Sequence, residues 1–225
     1  LMAMDIVGDS GFAFFGSTKS GQYYDMRLIR TDTAGNELWS QTYGGIEDQQ
    51  CYSGQRTLDG GFILSGFRWF NNDHLNMYVV KVDSLGNQQW DGTYGSPWID
   101  NTGFIWQLPD SGYILAGAQR LSETGFRYPT FYRLDASGDV VWSRVYNELV
   151  SGPLYTSPHY VPGEGFAAAG TQKLGALSVG RLMKVDLSGS LLWDRSYQTN
   201  TQFDHYFYDS ERTLDGGYIM AGTAF

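Results

Sequence analysis

The sequence is short of several residue types, and each shortage excludes a class of protein. Cys51 is the only cysteine, so no internal disulfide can form. No apolar run reaches the roughly eighteen residues of a spanning helix, and we expect no membrane insertion. Lysine and arginine number 15 against 24 acidic residues, giving a net charge of −9 with no basic run. Nucleic acid is therefore not an expected partner.

One nine-residue segment occurs twice in nearly the same form. Residues 58–66 read LDGGFILSG and residues 214–222 read LDGGYIMAG, with weaker copies near residues 9, 110 and 163. The glycines that precede these apolar runs are separated by 50, 51, 53 and 52 residues. Four tryptophans keep a similar spacing: Trp39, Trp90, Trp142 and Trp193. A fixed period of about fifty residues indicates stacked supersecondary units rather than one ordinary core.

Each repeat contains four short strand signals, labelled a, b, c and d. In the second copy they are CYSGQRTL, GFILSGF, MYVVKVD and NQQWDGTYG. The Asp-Gly-Gly of the a–b junction predicts a two-residue primed hairpin turn. At the c–d junction we expect Asp83 to bond its own downstream backbone while a glycine or asparagine adopts positive φ. The sequence predicts an all-β fold of four-stranded antiparallel units, with repeats at about 1–46, 47–97, 98–149 and 150–200 and a half repeat at 201–225.

The order DGGYIMAG, YVVKVDSLGNQQW and then TYGG or TYGS resembles the roughly fifty-residue β-propeller repeat of secreted and surface-anchored bacterial proteins. The resemblance covers the whole chain. It implies a β-propeller, or a segment of one, with four full blades and a half blade, and an extracellular or cell-surface location. It implies almost nothing about activity.

A looser likeness is to the tryptophan-docking repeats of quinoprotein propellers. There an Asp, a Gly and a Trp stand at spacings similar to those of Asp32, Gly35 and Trp39. The likeness implies that the repeated tryptophans pin adjacent blades together, and we expect each to be largely buried. Quinoprotein dehydrogenases resemble one another in a vicinal cysteine pair, which this chain lacks. We therefore expect no cofactor.

The connections between strands are of two kinds. The a–b and c–d turns are short and alike, whereas the b–c and d–a connections are longer and differ from copy to copy. An up-and-down blade brings the variable connections to one face, here named the loop face, which we expect to be continuous and to bind a glycan or protein. The alternative is that its aromatic residues merely cap the sheet edges. The candidate ligand-binding residues are Trp69, Phe70, Asp73, Trp98, Asp100, Phe126, Tyr128, Phe203, His205 and Tyr206.

A second candidate site lies where the a strands would line a central channel. Because strand residues alternate faces, one of two neighbouring registers must point inward. The candidate residues are Asp5, Arg56, Trp106, His159, Glu211 and Arg212. One alternative is a water-filled channel without ligand. Two others are a sialidase-like site formed by Arg56, Arg212, Glu211 and Tyr160, and a glycoside hydrolase site with Asp5 and Glu211 as its carboxylates. The three histidines lack metal-ligand spacing. We expect a non-catalytic recognition or scaffold protein without a metal.

The two ends of the sequence duplicate each other. The first repeat begins with an a strand and the last ends with a b strand, so the ends cannot supply each other's missing strands. A two-stranded remnant would leave an open sheet edge, which proteins normally cover or pair. We expect further blades, from a longer polypeptide or from a partner chain, to complete the ring.

Overall fold

The computed structural model describes residues 2–70, 74–100, 103–149, 151–154, 156, 158–198 and 204–224. Its regular structure is β-strand, apart from a single 3₁₀ turn at Gly8–Ser10. Within those ranges no helix has the length and apolar character needed to cross a membrane.

The strands form antiparallel sheets that follow one another along the chain. The first two sheets comprise β1 (Ala3–Ile6), β2 (Phe12–Ser20), β3 (Tyr23–Thr31) and β4 (Glu37–Tyr43), and then β5 (Asp48–Arg56), β6 (Phe62–Phe70), β7 (His74–Val82) and β8 (Gln88–Tyr94). The third and fourth comprise β9 (Phe104–Gln107), β10 (Tyr113–Arg120), β11 (Arg127–Leu134) and β12 (Val140–Val145), and then β13 (His159–Val161), β14 (Gly165–Leu174), β15 (Leu177–Val185) and β16 (Leu191–Tyr197). The fifth sheet pairs β17 (His205–Arg212) with β18 (Tyr218–Ala224). The predicted all-β fold and its four-stranded antiparallel units are confirmed.

The c–d turns have the predicted chemistry. Asp83 Oδ1 accepts hydrogen bonds from the amides of Leu85, at 2.8 Å, and Asn87, at 2.9 Å. Hydrogen bonds from the side chain and backbone of Asn87 hold the pKa of Asp83 below its usual range. Gly86 has a φ of +85°, which a side chain would strain. The same turn recurs in the first, third and fourth sheets, so an aspartate at its start and a glycine three residues later fix each c–d hairpin.

The predicted two-residue a–b turn is wrong. In the second sheet the Gly60 amide donates to the Thr57 carbonyl and the Thr57 amide donates to the Gly61 carbonyl, each at 2.9 Å. Within this turn only Gly60 has a positive φ, of +83°. This is a three-residue loop made of a type I turn followed by a left-handed glycine. Asp59 Oδ1 favours it by accepting hydrogen bonds from the Thr57 hydroxyl and the Gly61 amide.

Neighbouring sheets pack face to face in chain order. Three clusters of buried apolar side chains lie between the first and second, the second and third, and the third and fourth sheets. Phe15 and Phe62 meet in the first cluster with their ring centroids 6.3 Å apart. The fourth and fifth sheets meet through Trp193 and Tyr218, with centroids also 6.3 Å apart. Each sheet interior thus depends on its neighbours.

The repeated tryptophans lie at these boundaries. Each stands on the outermost strand of its sheet and packs against an aromatic ring of the next sheet: Trp39 on Phe62, Trp90 on Tyr113, Trp142 on Phe166 and Trp193 on Tyr218. All four are only partly buried, because an edge strand leaves one side of the ring exposed to water.

A tyrosine four residues after each of the first three tryptophans completes the boundary. The hydroxyl groups of Tyr43, Tyr94 and Tyr146 donate to the carbonyls of Gly86, Gly138 and Gly189 in the next sheet, at 2.9, 2.7 and 2.7 Å. Burial raises the pKa of Tyr146 above its ordinary value. The hydroxyl therefore remains a neutral donor at physiological pH, and each sheet is tied to the c–d turn of the next.

Candidate functional site

The a strands of the five sheets lie side by side, as the channel prediction requires. The Arg56 amide of β5 donates to Asp5 of β1 at 2.7 Å. The rings of Trp106 on β9 and His159 on β13 lie 6.5 Å apart. His159 Nε2 is 2.9 Å from the Ser210 hydroxyl of β17. The Gln107 amide of β9 donates to Gln55 of β5 at 3.3 Å, so the five a strands form one row, named here the inner row.

A concave site opens on the inner row at the a–b turns. A cavity of about 520 Å³ lies between the second, third and fourth sheets, and Arg56, Leu58, Trp106 and Tyr160 are among its lining residues. Trp106 is 39% exposed, which is high for an indole. Arg56 is among the lining residues, and within the described part of the chain its guanidinium forms no hydrogen bond. An aromatic face next to free donors suits a polar ligand with an apolar surface.

The carboxylates required by the hydrolase alternative lie elsewhere. Asp5 and Glu211 belong to the first and fifth sheets, and neither lines this cavity. Both oxygens of Asp5 accept backbone hydrogen bonds, from Ile6 and Arg56. Glu211 accepts one from the Arg212 amide at 3.0 Å. A glycosidase needs two carboxylates facing one another across the scissile bond. The cavity is not lined by such a pair.

His159 and Ser210 lie at the distance expected of a catalytic base and a serine nucleophile, but their surroundings do not suit that role. Both are buried, with 7% of each residue exposed. The Ser210 hydroxyl donates to Thr156 at 2.9 Å, which leaves its proton in a structural hydrogen bond. The rings of Trp106 and Tyr218 flank the imidazole. This chain of hydrogen bonds joins the fourth and fifth sheets at the inner row, and its burial indicates a structural role.

The b–c and d–a connections meet at the opposite end of the sheets, as predicted. The Asp100 amide, in a d–a connection, donates to the Leu75 carbonyl at the start of β7 at 2.7 Å. Arg127, at the start of β11, reaches the carbonyls of Ile99 and Asp100 through Nε. Two variable connections therefore pack on each other, and the strand assignment behind the loop face holds for these sheets.

The Asp100 carboxylate forms hydrogen bonds within the loop face itself. It is 1% exposed. Its carboxylate accepts hydrogen bonds from the Ser96 amide at 2.5 Å, the Ser96 hydroxyl at 2.7 Å and the Arg120 amide at 2.8 Å. Burial raises the pKa of Asp100, although these hydrogen bonds act in the opposite direction. Asp100 therefore holds two connections together and presents no carboxylate oxygen at the surface.

The aromatic candidates of the loop face differ in exposure. Phe126 is 69% exposed, whereas Trp69, Trp98 and Tyr128 are partly buried. The Arg68 guanidinium lies 4.7 Å from the ring centroid of Phe70. That stack and the 2.7 Å ion pair of Arg68 with Glu47 rigidify the end of β6.

At the fifth sheet, the Tyr206 and Tyr208 rings stack with a 5° interplanar angle and centroids 6.3 Å apart. His205 is buried, with 7% exposed. Two further candidates, Asp73 and Phe203, lie outside the described residues.

The described residues show no metal site, and not every channel candidate lies at the cavity. Across the described ranges, no group of three or more His, Cys, Asp or Glu side chains is placed to bind a metal ion. Arg212 lies at the exposed end of β17 beside the a–b turn of the fifth sheet, away from the cavity. Of the candidate channel residues, Arg56 and Trp106 line the cavity, and His159 contacts it through Trp106.

Leu58 lines the cavity and was not among the predicted site residues. It lies in an a–b turn, so the repeat alignment held a signal for it. Comparison with protein-family models and with curated proteins finds no match to this chain. The functional argument therefore depends on the geometry of the site.

Proposed function

We propose that the five sheets are blades of a β-propeller and that the chain is a non-catalytic extracellular recognition module for glycans. The propeller proposal is supported by the inner row of a strands and by sheets that pack face to face through repeated contacts. The observation that carries the recognition proposal is the cavity lined by Trp106 and Arg56.

The chemistry of the cavity fits a sugar better than a flat apolar ligand. A sugar ring presents C–H groups on one face, which stack on an exposed indole, and hydroxyl groups at its rim, which accept hydrogen bonds. The planar guanidinium of Arg56 can donate hydrogen bonds to these hydroxyl groups, and its paired N–H groups also match the carboxylate of a uronate. Leu58, 69% exposed, adds an apolar wall.

The loop face remains the second candidate for the binding surface. The exposed Phe126 and the stacked Tyr206 and Tyr208 favour it. Against it, Asp100, Arg68 and Arg120 already use their polar groups to fix the loops. A protein ligand would suit this broad surface, whereas a glycan chain suits the concave cavity.

A panel of neutral and uronate-containing oligosaccharides, titrated while tryptophan fluorescence is followed, tests the proposal. We expect saturable binding that Trp106→Ala weakens by about 1–3 kcal/mol, the scale of a lost aromatic contact. Arg56→Gln should weaken uronate ligands more than neutral ones.

Trp98→Ala on the loop face is the matched control and should bind like the unmodified chain. Binding lost in Trp98→Ala but kept in Trp106→Ala would move the site to the loop face. Release of reducing ends from the oligosaccharides, abolished by Glu211→Gln, would support the hydrolase alternative instead.

A further inference from the structure

The boundary between sheets follows one pattern three times. In each case a Trp and a Tyr of one sheet cover the c–d turn of the next. A Cβ added at Gly86 would lie 3.0 Å from the Trp39 ring, and Cβ atoms added at Gly138 and Gly189 would each lie 2.9 Å from the Trp ring of the preceding sheet. The tyrosine hydroxyl then donates to the carbonyl of the same glycine. The pattern therefore requires a glycine turn beneath each Trp and Tyr.

A buried cation forms a second repeated contact. Lys81 on the c strand of the second sheet lies 2.8 Å from Asp59 in the a–b turn of the same sheet. In the third sheet Arg133 lies 2.5 Å from Asp110, and in the fourth Lys184 pairs with Glu164. In these three sheets the c strand thus brings one basic side chain to the acid of its own a–b turn, whereas in the first sheet Arg30 of the c strand donates to Ser10 of the turn.

One half of each pattern recurs at the fifth sheet: the Trp193 and Tyr197 pair of the fourth sheet faces it, and Asp215 stands in its a–b turn. Asp215 stands at the a–b turn position of Asp59, yet its carboxylate accepts only from its own turn, from Thr213 and the Gly217 amide, among the described residues. Tyr197 follows Trp193 by four residues and is 40% exposed. In the described part of the chain its hydroxyl has no hydrogen-bond acceptor.

A groove lies between Trp193 and Tyr197 of the fourth sheet and β18 of the fifth. It has a volume of about 360 Å³, and Leu182, Trp193, Tyr197, Tyr218 and Met220 are among its lining residues. Its floor is the outer part of the fourth sheet, and one wall is β18. In the described structure β18 pairs with β17 alone. Its other edge therefore presents backbone donors and acceptors to an incoming strand.

We propose that this groove and the free edge of β18 bind a β-hairpin of the c–d type found in this chain. The hairpin adds its first strand to β18 and places a Lys or Arg against Asp215. Its Asp-x-x-Gly turn lies beneath Trp193, and the carbonyl of that glycine accepts a hydrogen bond from the Tyr197 hydroxyl. The proposal depends on the stacking of the sheets and not on the glycan site.

Three requirements together select a c–d hairpin: a strand for the β18 edge, a cation for Asp215 and a glycine turn beneath Trp193. A second copy of the chain that packed a flat sheet face on the groove would supply neither a strand for the β18 edge nor a cation for Asp215. A c–d hairpin supplies the strand, the cation and the glycine turn in one segment of about twenty residues. The second sheet shows that residues 75–95 carry all three.

Fluorescence anisotropy of a labelled peptide spanning residues 75–95, titrated with the whole 225-residue chain, tests the proposal. We expect saturable binding. Tyr197→Phe in the chain should weaken it roughly three- to tenfold, the effect of one lost hydrogen bond. Tyr94→Phe, which removes the same hydroxyl at an occupied boundary, should leave the affinity unchanged.

A charge exchange sharpens the test. Asp215→Lys should weaken binding of the original peptide about two- to fivefold, the range of a partly exposed ion pair, and a peptide carrying Lys81→Asp should restore it. A peptide carrying Gly86→Val should fail to bind, because the turn requires a φ near +85°.

Several results would overturn the proposal. These are the absence of saturable binding, binding that neither Tyr197→Phe nor Trp193→Ala changes, and a dimer of the chain that excludes the peptide. Peptide binding should persist in the Trp106→Ala chain. Failure of the glycan proposal and failure of this one are therefore separate outcomes.

Discussion

Strands β6 and β18 carry nearly the same residues but lie in different surroundings. Ile63 and Ile114, which follow the turn glycines of the second and third sheets by two positions, are completely buried. Ile219 occupies the same position in the fifth sheet and is 62% exposed. Both faces of the second and third sheets are covered by neighbouring sheets, whereas the fifth sheet is covered on the face toward the fourth.

This difference shows that the local sequence determines the hairpin, whereas the neighbouring sheets determine which of its side chains are buried. The a–b hairpin forms in both places because its turn residues act locally, through Asp59 in one sheet and Asp215 in the other. Whether an isoleucine joins a core depends on the sheet placed against it. Two nearly identical nine-residue segments thus form the same hairpin, with different contributions to stability.

The largest expected effect on stability concerns Ile114, which is buried, and Ile219, which is exposed. Ile114→Ala should lower the free energy of unfolding by about 2–5 kcal/mol, because it opens a cavity between packed sheets. Ile219→Ala should change it by less than about 0.5 kcal/mol, as exposed substitutions usually do. Urea denaturation of both variants measures the difference. Equal losses would mean that the outer face of the fifth sheet is covered in solution.

The tryptophans give the next effect. Trp90→Ala should cost about 2–3 kcal/mol, below the value for a fully buried indole because the ring is only partly buried. Trp193→Ala should cost about 1 kcal/mol, since Trp193 contacts Tyr218 without a glycine turn beneath it. Thermal unfolding of the two variants makes the comparison. A melting temperature unchanged by Trp90→Ala would remove the boundary role of these residues.

The tyrosine hydroxyls come third. Tyr146→Phe should cost about 1–2 kcal/mol, because it leaves the buried Gly189 carbonyl without its donor. Tyr197→Phe should be neutral within about 0.3 kcal/mol, since no acceptor is lost. Chemical denaturation resolves this difference, and a clear loss in Tyr197→Phe would show that its hydroxyl is already paired.

The smallest effect tests whether the turns are independent of their neighbours. Ser111 has a φ of +69°, where the equivalent residues of the second and fifth sheets are Gly60 and Gly216. Ser111→Gly should stabilise the chain by about 0.5 kcal/mol, and Gly60→Ser and Gly216→Ser should each cost about 1 kcal/mol. A difference between the two glycine variants would contradict the local origin of the turn.

Much of the fold could be predicted from local chemistry and spacing. The strands, their order within each sheet and the c–d turns follow from alternating apolar residues and from Asp and Gly at fixed positions. The a–b turn was mispredicted, because positive φ was assigned to a pair of residues when Asp59 holds a type I turn with one left-handed glycine. The tyrosine-to-glycine bonds had a visible signal, a Tyr four residues after each Trp, but their acceptors lie 43 or 44 residues away.

The candidate site was less predictable for a physical reason. Arg56 and Trp106 share a cavity only because the second and third sheets are placed side by side. Asp100 was a reasonable surface ligand by composition, yet the fold uses its carboxylate to hold two loops. Sequence showed which side chains could bind a ligand. Packing determines which of them remain uncommitted.

Hydrogen–deuterium exchange of the 225-residue chain, followed by mass spectrometry, tests the contrast between inner and outer sheets most directly. The segments Phe62–Phe70 and Tyr113–Ala116 are paired with strands on both sides and covered by neighbouring sheets, so their amides should exchange slowly. Amides of Tyr218–Ala224 should exchange at least about tenfold faster, because β18 has a free edge and an exposed face. Equal protection of β18 and β6 would contradict the account.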